Sequence, residues 1–198
     1  MLKRSFDIFG SGVGIILLSP LLLLIALFIK LDSSGPIFFR QERVGLFGKK
    51  FQIHKFRTMG IESESKGLQI TVGLDRRITR TGFFLRKYKL DELAQLIDVL
   101  VGDMSLVGPR PEVMPYVEHY SPEARAIVQS VRPGITDWAS IKFKDENQIL
   151  AAASDPHLTY INEVMPIKIK YYVDYAQEHS FWGDLRIIFA TFSALIRS

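Results

Sequence analysis

The chain has 198 residues, a length that suits one compact domain, and its 47% hydrophobic content excludes a disordered chain. It contains no cysteine, which excludes disulfide bonds and thiolate metal sites. The net charge of +4 fits an anionic partner, such as phosphate, nucleic acid or an acidic membrane surface, without distinguishing among the three.

The first predicted element is an apolar helix, because residues 8–29 carry no charge. At about 1.5 Å per residue, this stretch could cross a hydrocarbon core of about 30 Å. A cleaved signal peptide is disfavoured because no small-x-small cleavage site follows. Hydropathy alone favours a simple transmembrane helix. A helix that enters the membrane, breaks at Ser19-Pro20 and returns is the third interpretation, because proline removes a backbone donor and kinks helices.

Cations crowd the stretch that follows the apolar run. By the positive-inside tendency, this side of the membrane is cytoplasmic, so we expect the rest of the chain to lie in the cytosol. The cations are Arg40, Arg43, Lys49, Lys50, Lys55 and Arg57.

Short strands and a helix are predicted in the middle of the chain. Residues 37–41 and 51–56 are typical of two strands on either side of a turn over 44–50. The polar segment 60–67 indicates a loop. Leucine and isoleucine at helical spacing predict a helix over 90–101, which Gly102 would end.

The C-terminal part is predicted to be helical. Ser121 and Pro122 suit the cap and first position of a helix. A later apolar stripe has two interpretations, a helix facing the core or an amphipathic helix in the membrane surface. We therefore predict a mainly α fold with short β elements (α+β). The stripe consists of Phe181, Trp182, Leu185, Ile188, Phe189, Phe192 and Ile196.

The acidic pair Asp91-Glu92 is the first candidate for chemistry. Acids are also common in the first turn of a helix, because they complement its dipole. Here, however, Arg86, Lys87 and Lys89 come directly before the pair. Cations beside paired carboxylates favour a metal-bound diphosphate over a solvated surface.

Three basic segments are candidates for phosphate binding. In Gly108-Pro109-Arg110-Pro111, two prolines restrict the backbone around an arginine whose planar group matches phosphate oxygens. A structural turn whose arginine pairs with a carboxylate is the alternative. Arg132-Pro133-Gly134 repeats the arrangement, and Lys55 to Met59 is a third basic segment that could simply be a strand edge.

Other classes of site find little support. Histidines 54, 119, 157 and 179 do not have the spacing of metal ligands, and the sequence has neither a P-loop nor a glycine-rich dinucleotide motif. The aromatic residues are scattered, so a platform for nucleic acid is not expected.

Six short segments of the chain, taken in order, resemble the motifs of the bacterial sugar transferase family. These are the monotopic polyprenyl-phosphate phosphoglycosyl transferases, and the chain resembles their short catalytic-core form. Six motifs are in register, and the likeness covers about Lys3 to Trp138 closely. The motifs are Ser19-Pro20, Lys55-Phe56-Arg57-Thr58-Met59, Leu90-Asp91-Glu92-Leu93, Gly102-Asp103-Met104-Ser105, Gly108-Pro109-Arg110-Pro111 and Arg132-Pro133-Gly134-Ile135-Thr136.

The resemblance implies an architecture. Residues 1–32 would form a re-entrant membrane helix broken at Ser19-Pro20, in place of the simple span that hydropathy favours. Residues 33–198 would form a cytosolic catalytic domain with interfacial amphipathic helices. The implied location is the cytoplasmic face of the bacterial inner membrane.

The resemblance also implies roles for individual residues. Asp91 and Glu92 would be the catalytic dyad, with Asp91 as nucleophile and as ligand of a required Mg²⁺ ion. Arg57, Arg86 and Arg110 would contact phosphate groups. The active-site mouth would be formed by Arg132, Pro133, Gly134 and Thr136.

The implied reaction transfers a sugar-1-phosphate from a UDP-sugar to polyprenyl (undecaprenyl) phosphate and releases UMP through an aspartyl-phosphosugar intermediate. This would be the first membrane step of glycoconjugate assembly. The implied partners are the UDP-sugar, polyprenyl phosphate and membrane lipid, without nucleic acid; a homodimer is left open. The sequence does not identify the sugar.

The chain departs from the family pattern at two positions. The family usually has glycine and glutamine where this chain has Asp137 and Ser140. This departure bears on the nucleotide-sugar contacts more than on the phosphate chemistry. A membrane-anchored phosphohydrolase and a non-catalytic scaffold of polysaccharide assembly are the alternative functions.

Overall fold

The fold is described from a computed structural model, which covers residues 2–60, 75 and 77–196. It is mainly helical with two small sheets, as the sequence predicts. The α-helices are α1 (Leu2–Asp32), α2 (Arg80–Lys87), α3 (Gln95–Val101), α4 (Met114–Val117), α5 (Pro122–Val128), α6 (Trp138–Lys142), α7 (Glu146–Ala151), α8 (Pro156–Thr159), α9 (Met165–Glu178) and α10 (Phe181–Ile196). The strands are β1 (Phe38–Val44), β2 (Lys50–Phe56), β3 (Ser105–Val107) and β4 (Gly134–Thr136).

Helix α1 runs from Leu2 to Asp32 with Pro20 inside it, so the structure does not confirm a break at Ser19-Pro20, and the re-entrant topology stays a prediction. Proline has no N–H to donate to the carbonyl four residues earlier, which here is Ile16. The Ser19 hydroxyl donates to that carbonyl at 2.8 Å. The serine thus replaces the donor that the proline lacks, and the helix can continue.

The N-terminal end of α1 is held by polar contacts with the rest of the protein. Lys3 Nζ donates to Asp184 Oδ2 at 2.6 Å. Asp7 is 2% exposed, and its Oδ1 accepts hydrogen bonds from Ser105 Oγ and from the Leu106 amide, both at 3.0 Å. Charged residues that flank the apolar run therefore fix the start of α1 to the rest of the protein, which is called the body below.

The C-terminal end of α1 packs on the same body through apolar side chains. Ile25 and Ile29 are buried in one cluster with Phe56, Leu85 and Ala94. The helix thus contacts the body near both of its ends. Its opposite face is apolar and exposed, and includes Phe9, Ile16, Leu17, Leu23, Leu24, Leu27, Phe28 and Leu31.

Among the described residues, α1 is the one helix whose length and composition would allow it to cross a membrane. Only 11% of its apolar window is buried. A core helix of a soluble protein would be mostly buried, so the exposed apolar face of α1 suggests membrane association.

The two small sheets position the loops of the candidate site. Strands β1 and β2 form an antiparallel hairpin in which Phe38 pairs with Phe56, close to the predicted strands and turn. Strands β3 and β4 pair in parallel, with Ser105 opposite Gly134. The predicted loop over 60–67 lies outside the described residues after Gly60.

The predicted helix over 90–101 begins differently from the expectation. Leu90–Ala94 is a 3₁₀ turn, and α3 follows it to Val101. Gly102 ends the helix with φ of 107°, as predicted. The tighter first turn places the acidic pair at its start rather than on a regular α-helical face.

The later helices agree with the sequence in their caps and faces. The Ser121 side chain accepts from the Ala124 amide and caps α5, as predicted. The C-terminal stripe lies along α10 and is divided between the two interpretations. Ile188 is partly buried against a core cluster, whereas Trp182, Phe189 and Phe192 are exposed.

Candidate active site

Three elements that are distant in sequence meet at one cluster of charged side chains. Strand β2 carries Lys55, the 3₁₀ turn carries Asp91 and Glu92, and the loop after β3 carries Arg110. Just before the turn, Lys89 adopts a left-handed backbone with φ of 56°, a strained conformation for a lysine. This reversal ends the connection from α2 and aims the acidic pair at β2 and Arg110.

Glu92 is the most heavily paired member of the cluster. Arg110 Nη2 and Nη1 donate to Oε1 and Oε2 of Glu92 at 2.5 and 3.2 Å, in a bidentate fork. Lys55 Nζ donates to Glu92 Oε1 at 2.8 Å. Burial alone would raise the pKa of Glu92, but Arg110 and Lys55 lower it well below its usual range. Glu92 is therefore an anion with its oxygens already bound.

Asp91 differs sharply from its neighbour. In the part of the chain that the structure describes, no side chain or amide donates a hydrogen bond to the Asp91 carboxylate, and it forms no ion pair. Burial, and then the charge of Glu92, raise the pKa of Asp91, while Lys55 and Arg86 oppose the change. Asp91 thus has a half-buried carboxylate that is open to a reacting atom or a cation.

Arg86 joins this cluster, whereas Arg57 lies elsewhere. Arg86 Nε donates to Thr58 Oγ1 at 2.8 Å, and the charge of Arg86 acts to lower the pKa of Asp91. Arg57 is 3% exposed and donates to the carbonyls of Ser33 and Ser34 at 2.8 and 2.6 Å. These contacts fix the segment after α1, and a phosphate contact for Arg57 stays a prediction from resemblance.

Arg43 is a functional candidate that the sequence did not single out, and Lys55 was predicted only as part of the basic segment Lys55 to Met59. Arg43 Nη1 donates to the Pro111 carbonyl at 3.0 Å and lies 3.9 Å from Glu112. It therefore supports the loop that presents Arg110. In the sequence Arg43 counted only toward membrane sidedness, and Lys55 also counted as one member of a candidate phosphate-binding segment. Strand alternation along β1 and β2 could have placed them on one face.

The segment that begins with Arg132 supports the Arg110 loop from behind. Gly134 N donates to Pro109 O at 2.9 Å, and Gly108 N donates to Thr136 O at 3.1 Å. Any side chain at Gly134 would overlap the backbone of Gly108, so glycine is required for this approach.

The remaining side chains of this segment also point to structural contacts. Arg132 Nε donates to the Gly102 carbonyl at 2.9 Å, at the opposite end of α3 from the acidic pair. Thr136 is buried, and its hydroxyl lies 2.7 Å from that of Thr191 in α10. The expected position of this segment at the active-site mouth is not supported by any contact with Asp91 or Glu92 among the described residues.

The two departures from the family pattern bind each other. Asp137 caps α6 by accepting from the Ser140 amide at 3.0 Å, and Ser140 Oγ donates to Asp137 Oδ2 at 2.6 Å. Burial raises the pKa of Asp137, while the hydrogen bonds from Ser140 lower it. One substitution thus supplies the partner that the other needs, and together they form a helix cap.

A magnesium ion would fit this site with help from a substrate. The described residues contain no group of three acidic or histidine side chains that could hold a metal ion by themselves. Mg²⁺ is commonly held by one or two carboxylates together with phosphate oxygens and water. The open carboxylate of Asp91 meets that requirement, whereas the paired oxygens of Glu92 do not.

Comparisons with known proteins find a matching family and similar sequences. A model of the family described as "Bacterial sugar transferase" matches residues 1–198. UDP-glucose:undecaprenyl-phosphate glucose-1-phosphate transferase of Escherichia coli K12 is 39% identical over 194 residues, which are 96% of this chain and 39% of that protein.

Two further relatives have similar identities. UDP-N-acetylgalactosamine-undecaprenyl-phosphate N-acetylgalactosaminephosphotransferase of Aeromonas hydrophila is 39% identical over 98% of this chain and 44% of its own length. The UDP-glucose:undecaprenyl-phosphate glucose-1-phosphate transferase of Caulobacter vibrioides is 41% identical over 98% of this chain and 69% of its own length. The chain thus spans about two fifths of the first two relatives and about two thirds of the third.

Proposed function

The chain belongs to the bacterial sugar transferase family, and on that premise we propose that it transfers a sugar-1-phosphate from a UDP-sugar to undecaprenyl phosphate. The observation that carries the proposal is the contrast within the acidic pair. Asp91 is open and lies beside the cations Lys55 and Arg86, while Glu92 is bound to Lys55 and Arg110. A nucleophile must be open, and its anionic target needs cations nearby.

The first step is attack by an Asp91 oxygen on the phosphorus atom that bears the sugar. A bond forms between that oxygen and phosphorus, the bond from phosphorus to the UMP oxygen breaks, and UMP leaves. An acyl phosphate on Asp91 then carries the sugar. Repulsion between two anions is the main barrier, and Arg86 and Arg110 are placed to lower it.

The second step is attack by an oxygen of undecaprenyl phosphate on the same phosphorus atom. The bond to Asp91 breaks, its carboxylate is restored, and the product is a lipid diphosphate sugar. One diphosphate is consumed and one is formed, so no other energy source is required. Magnesium, when bound, would neutralise phosphate charge, and Asp91 is the residue open to hold it. The acceptor is already anionic at neutral pH, so no strong general base is needed.

We propose further that both ends of α1 lie on the cytoplasmic side of the inner membrane. The support is the packing of α1, which contacts the body at Lys3 and Asp7 near one end and at Ile25 and Ile29 near the other. A helix that crossed the bilayer would have to carry one of these ends away from the body. The exposed apolar face would then lie in the lipid, with the body at the headgroup plane.

UMP release tests the reaction. The purified protein in nanodiscs would receive magnesium, undecaprenyl phosphate and a panel of UDP-sugars that includes UDP-glucose and UDP-N-acetylgalactosamine, the sugars in the names of the relatives. We expect repeated turnover that depends on the lipid acceptor, with one preferred sugar, and without the acceptor at most one UMP per enzyme, because Asp91 then stays occupied. Repeated UMP release without an acceptor would instead favour a phosphohydrolase, and no release with any sugar would favour a scaffold.

The Asp91→Asn variant tests the nucleophile. It removes the attacking oxygen charge while keeping the shape of the side chain, so we expect no labelled sugar phosphate on the protein and no turnover. Mass spectrometry of the acid-quenched enzyme with the donor alone measures the intermediate. Substantial turnover by Asp91→Asn would contradict the assignment.

Single cysteines test the position of α1, since the chain has none of its own. Leu2→Cys and Ser34→Cys flank the helix. We expect both to resist a membrane-impermeant maleimide in spheroplasts and to react after lysis. Labelling of Leu2→Cys from the periplasm would contradict the proposed topology.

A further inference from the structure

A narrow crevice beside Glu92 has six lining residues, and four of them carry side-chain hydrogen-bond donors. Arg43, Lys55 and Arg110 bring three cationic groups to it, and Gln95 adds a side-chain amide. Such a set is unusual in a protein interior, because like charges repel and buried donors need acceptors. The lining residues are Arg43, Ile53, Lys55, Gln95, Arg110 and Pro111.

Two of these donors are buried without an acceptor. Gln95 is 1% exposed, and neither its Nε2 nor Arg43 Nε has a hydrogen-bond partner within the described ranges. An unpaired buried donor is destabilising relative to one that is paired or exposed to water. The pattern fits a site that is built for an additional acceptor.

Glu92 fills the acceptor role for only two members of the set. Its oxygens bind Arg110 in a fork and Lys55 through one bond, and leave the Gln95 amide and Arg43 Nε unbound. Guanidinium forks bind carboxylate and phosphate oxygens in the same geometry. The diphosphate of a UDP-sugar offers four unesterified oxygens, and the terminal phosphate of UMP offers three, whereas a carboxylate offers two.

We propose that Arg43, Lys55, Gln95 and Arg110 form a phosphate-binding cradle, and that Glu92 occupies it as an internal competitor until a substrate phosphate displaces it. This rests on the proposed function and names the residues that receive one of the donor's phosphate groups. On binding, Arg110 and Lys55 exchange a carboxylate for a phosphate, and Gln95 gains an acceptor. The released Glu92 carboxylate then lies next to Asp91. Both acids of the pair are therefore free of ion pairs only when the substrate is present.

The exchange makes an unusual prediction about affinity. If Glu92 competes with the phosphate, removing its charge must strengthen phosphate binding, although Glu92 belongs to the acidic pair. If Glu92 instead helps to bind the substrate or only supports the fold, its removal must weaken binding or leave it unchanged.

UMP is the probe, and calorimetric titration in nanodiscs with EDTA measures its dissociation constant without metal, sugar or acceptor. We expect Glu92→Gln to lower the Kd for UMP about tenfold, within the usual range of coupling between two ligands. Asp91→Asn is the matched control. Asp91 carries the same charge and is the next residue in the chain, but it binds neither Lys55 nor Arg110. Through-space attraction alone should lower the Kd by only about threefold in that variant.

Gln95→Met provides an independent test that does not disturb the ion pairs. It conserves the volume and removes a donor that is unpaired in the ligand-free protein. We expect an unchanged or higher melting temperature, together with UMP binding weakened about tenfold, the usual effect of losing a hydrogen bond to a charged group. A structural role for the amide would instead lower the melting temperature and leave the Kd unchanged.

Uridine serves as the ligand control, since it lacks the phosphate and its binding should respond to neither variant. A folded Glu92→Gln protein that binds UMP no better than the wild type would overturn the proposal. If that variant does not fold, an unchanged Kd in Gln95→Met overturns it instead. Neither measurement requires turnover, so their outcome is separate from that of the UMP-release assay.

Discussion

Two loops of this protein have almost the same local sequence pattern and different surroundings. Gly108 to Pro111 and Arg132 to Gly134 each place an arginine beside a proline and a glycine. The first points its arginine at Glu92, with 2.5 Å between Nη2 and Oε1. The second turns its arginine to the Gly102 carbonyl, at the far end of α3.

The difference shows that proline restricts a backbone without deciding what its neighbour contacts. The strand pair β3–β4 brings the two loops together, with the second loop as the support of the first. Of the two loops, only Gly108 to Pro111 also lies at the cluster that contains Lys55 and Glu92. The function of an arginine in such a motif therefore depends on the strand pairing around it, which is distant in sequence.

Among variants that test this comparison between the two loops, Arg110→Ala should reduce activity the most. It removes the cation that is placed to stabilise phosphate charge, so we expect kcat/KM for UMP release to fall about 10²–10³-fold, as for the loss of a comparable catalytic donor. Arg110→Lys is the control, because it keeps the charge and loses the fork. A loss below tenfold in the alanine variant would remove Arg110 from the site.

Gly134→Ala should have the next largest effect, through the support of the Arg110 loop. The added methyl group would overlap the backbone of Gly108, so the strands must separate, at a cost of about 1–3 kcal/mol in unfolding free energy. Displacement of Arg110 should reduce kcat/KM by about 10²-fold or less. Gly12→Ala is the matched control, since a methyl group there meets nothing within 4 Å. Equal activity of the two variants would contradict the supporting role.

Arg132→Ala should have the smallest effect. It removes the hydrogen bond to the Gly102 carbonyl, which contributes about 1 kcal/mol to stability. We expect a slightly lower melting temperature. Because only this one modest hydrogen bond is lost, kcat/KM for UMP release should stay within about threefold of the wild-type value. A loss as large as that of Arg110→Ala would return Arg132 to the active-site mouth, as the family resemblance implies.

The sequence predicted the elements whose signals are local. The helix end at Gly102, the Ser121 cap and the hairpin were recognised because each depends on residues within a few positions of one another. The continuity of α1 through Pro20 agrees with the simple helix that hydropathy favoured, whereas the family resemblance implied a break there. The compensation by the Ser19 hydroxyl depends on a side-chain rotamer, which hydropathy and proline statistics do not describe.

The candidate site was predicted in its residue types but not in its pairings. Asp91, Glu92, Arg86 and Arg110 were found from composition and resemblance. The opposite states of the two acids were not foreseen, because they depend on which one the 3₁₀ turn directs at Lys55. The cap formed by Asp137 and Ser140 also appeared in the sequence only as two separate departures.

The contacts at the start of α1 have a consequence for synthesis. Lys3 pairs with Asp184, a residue 181 positions later, so α1 leaves the ribosome long before its partner in α10 exists. Asp7 likewise waits for Ser105 and Leu106 before its carboxylate is bonded. Closing such long loops is slow, because chain entropy opposes it until the late contacts form. The polar contacts that hold the start of α1 therefore stay incomplete until the segment around Asp184 has been synthesised.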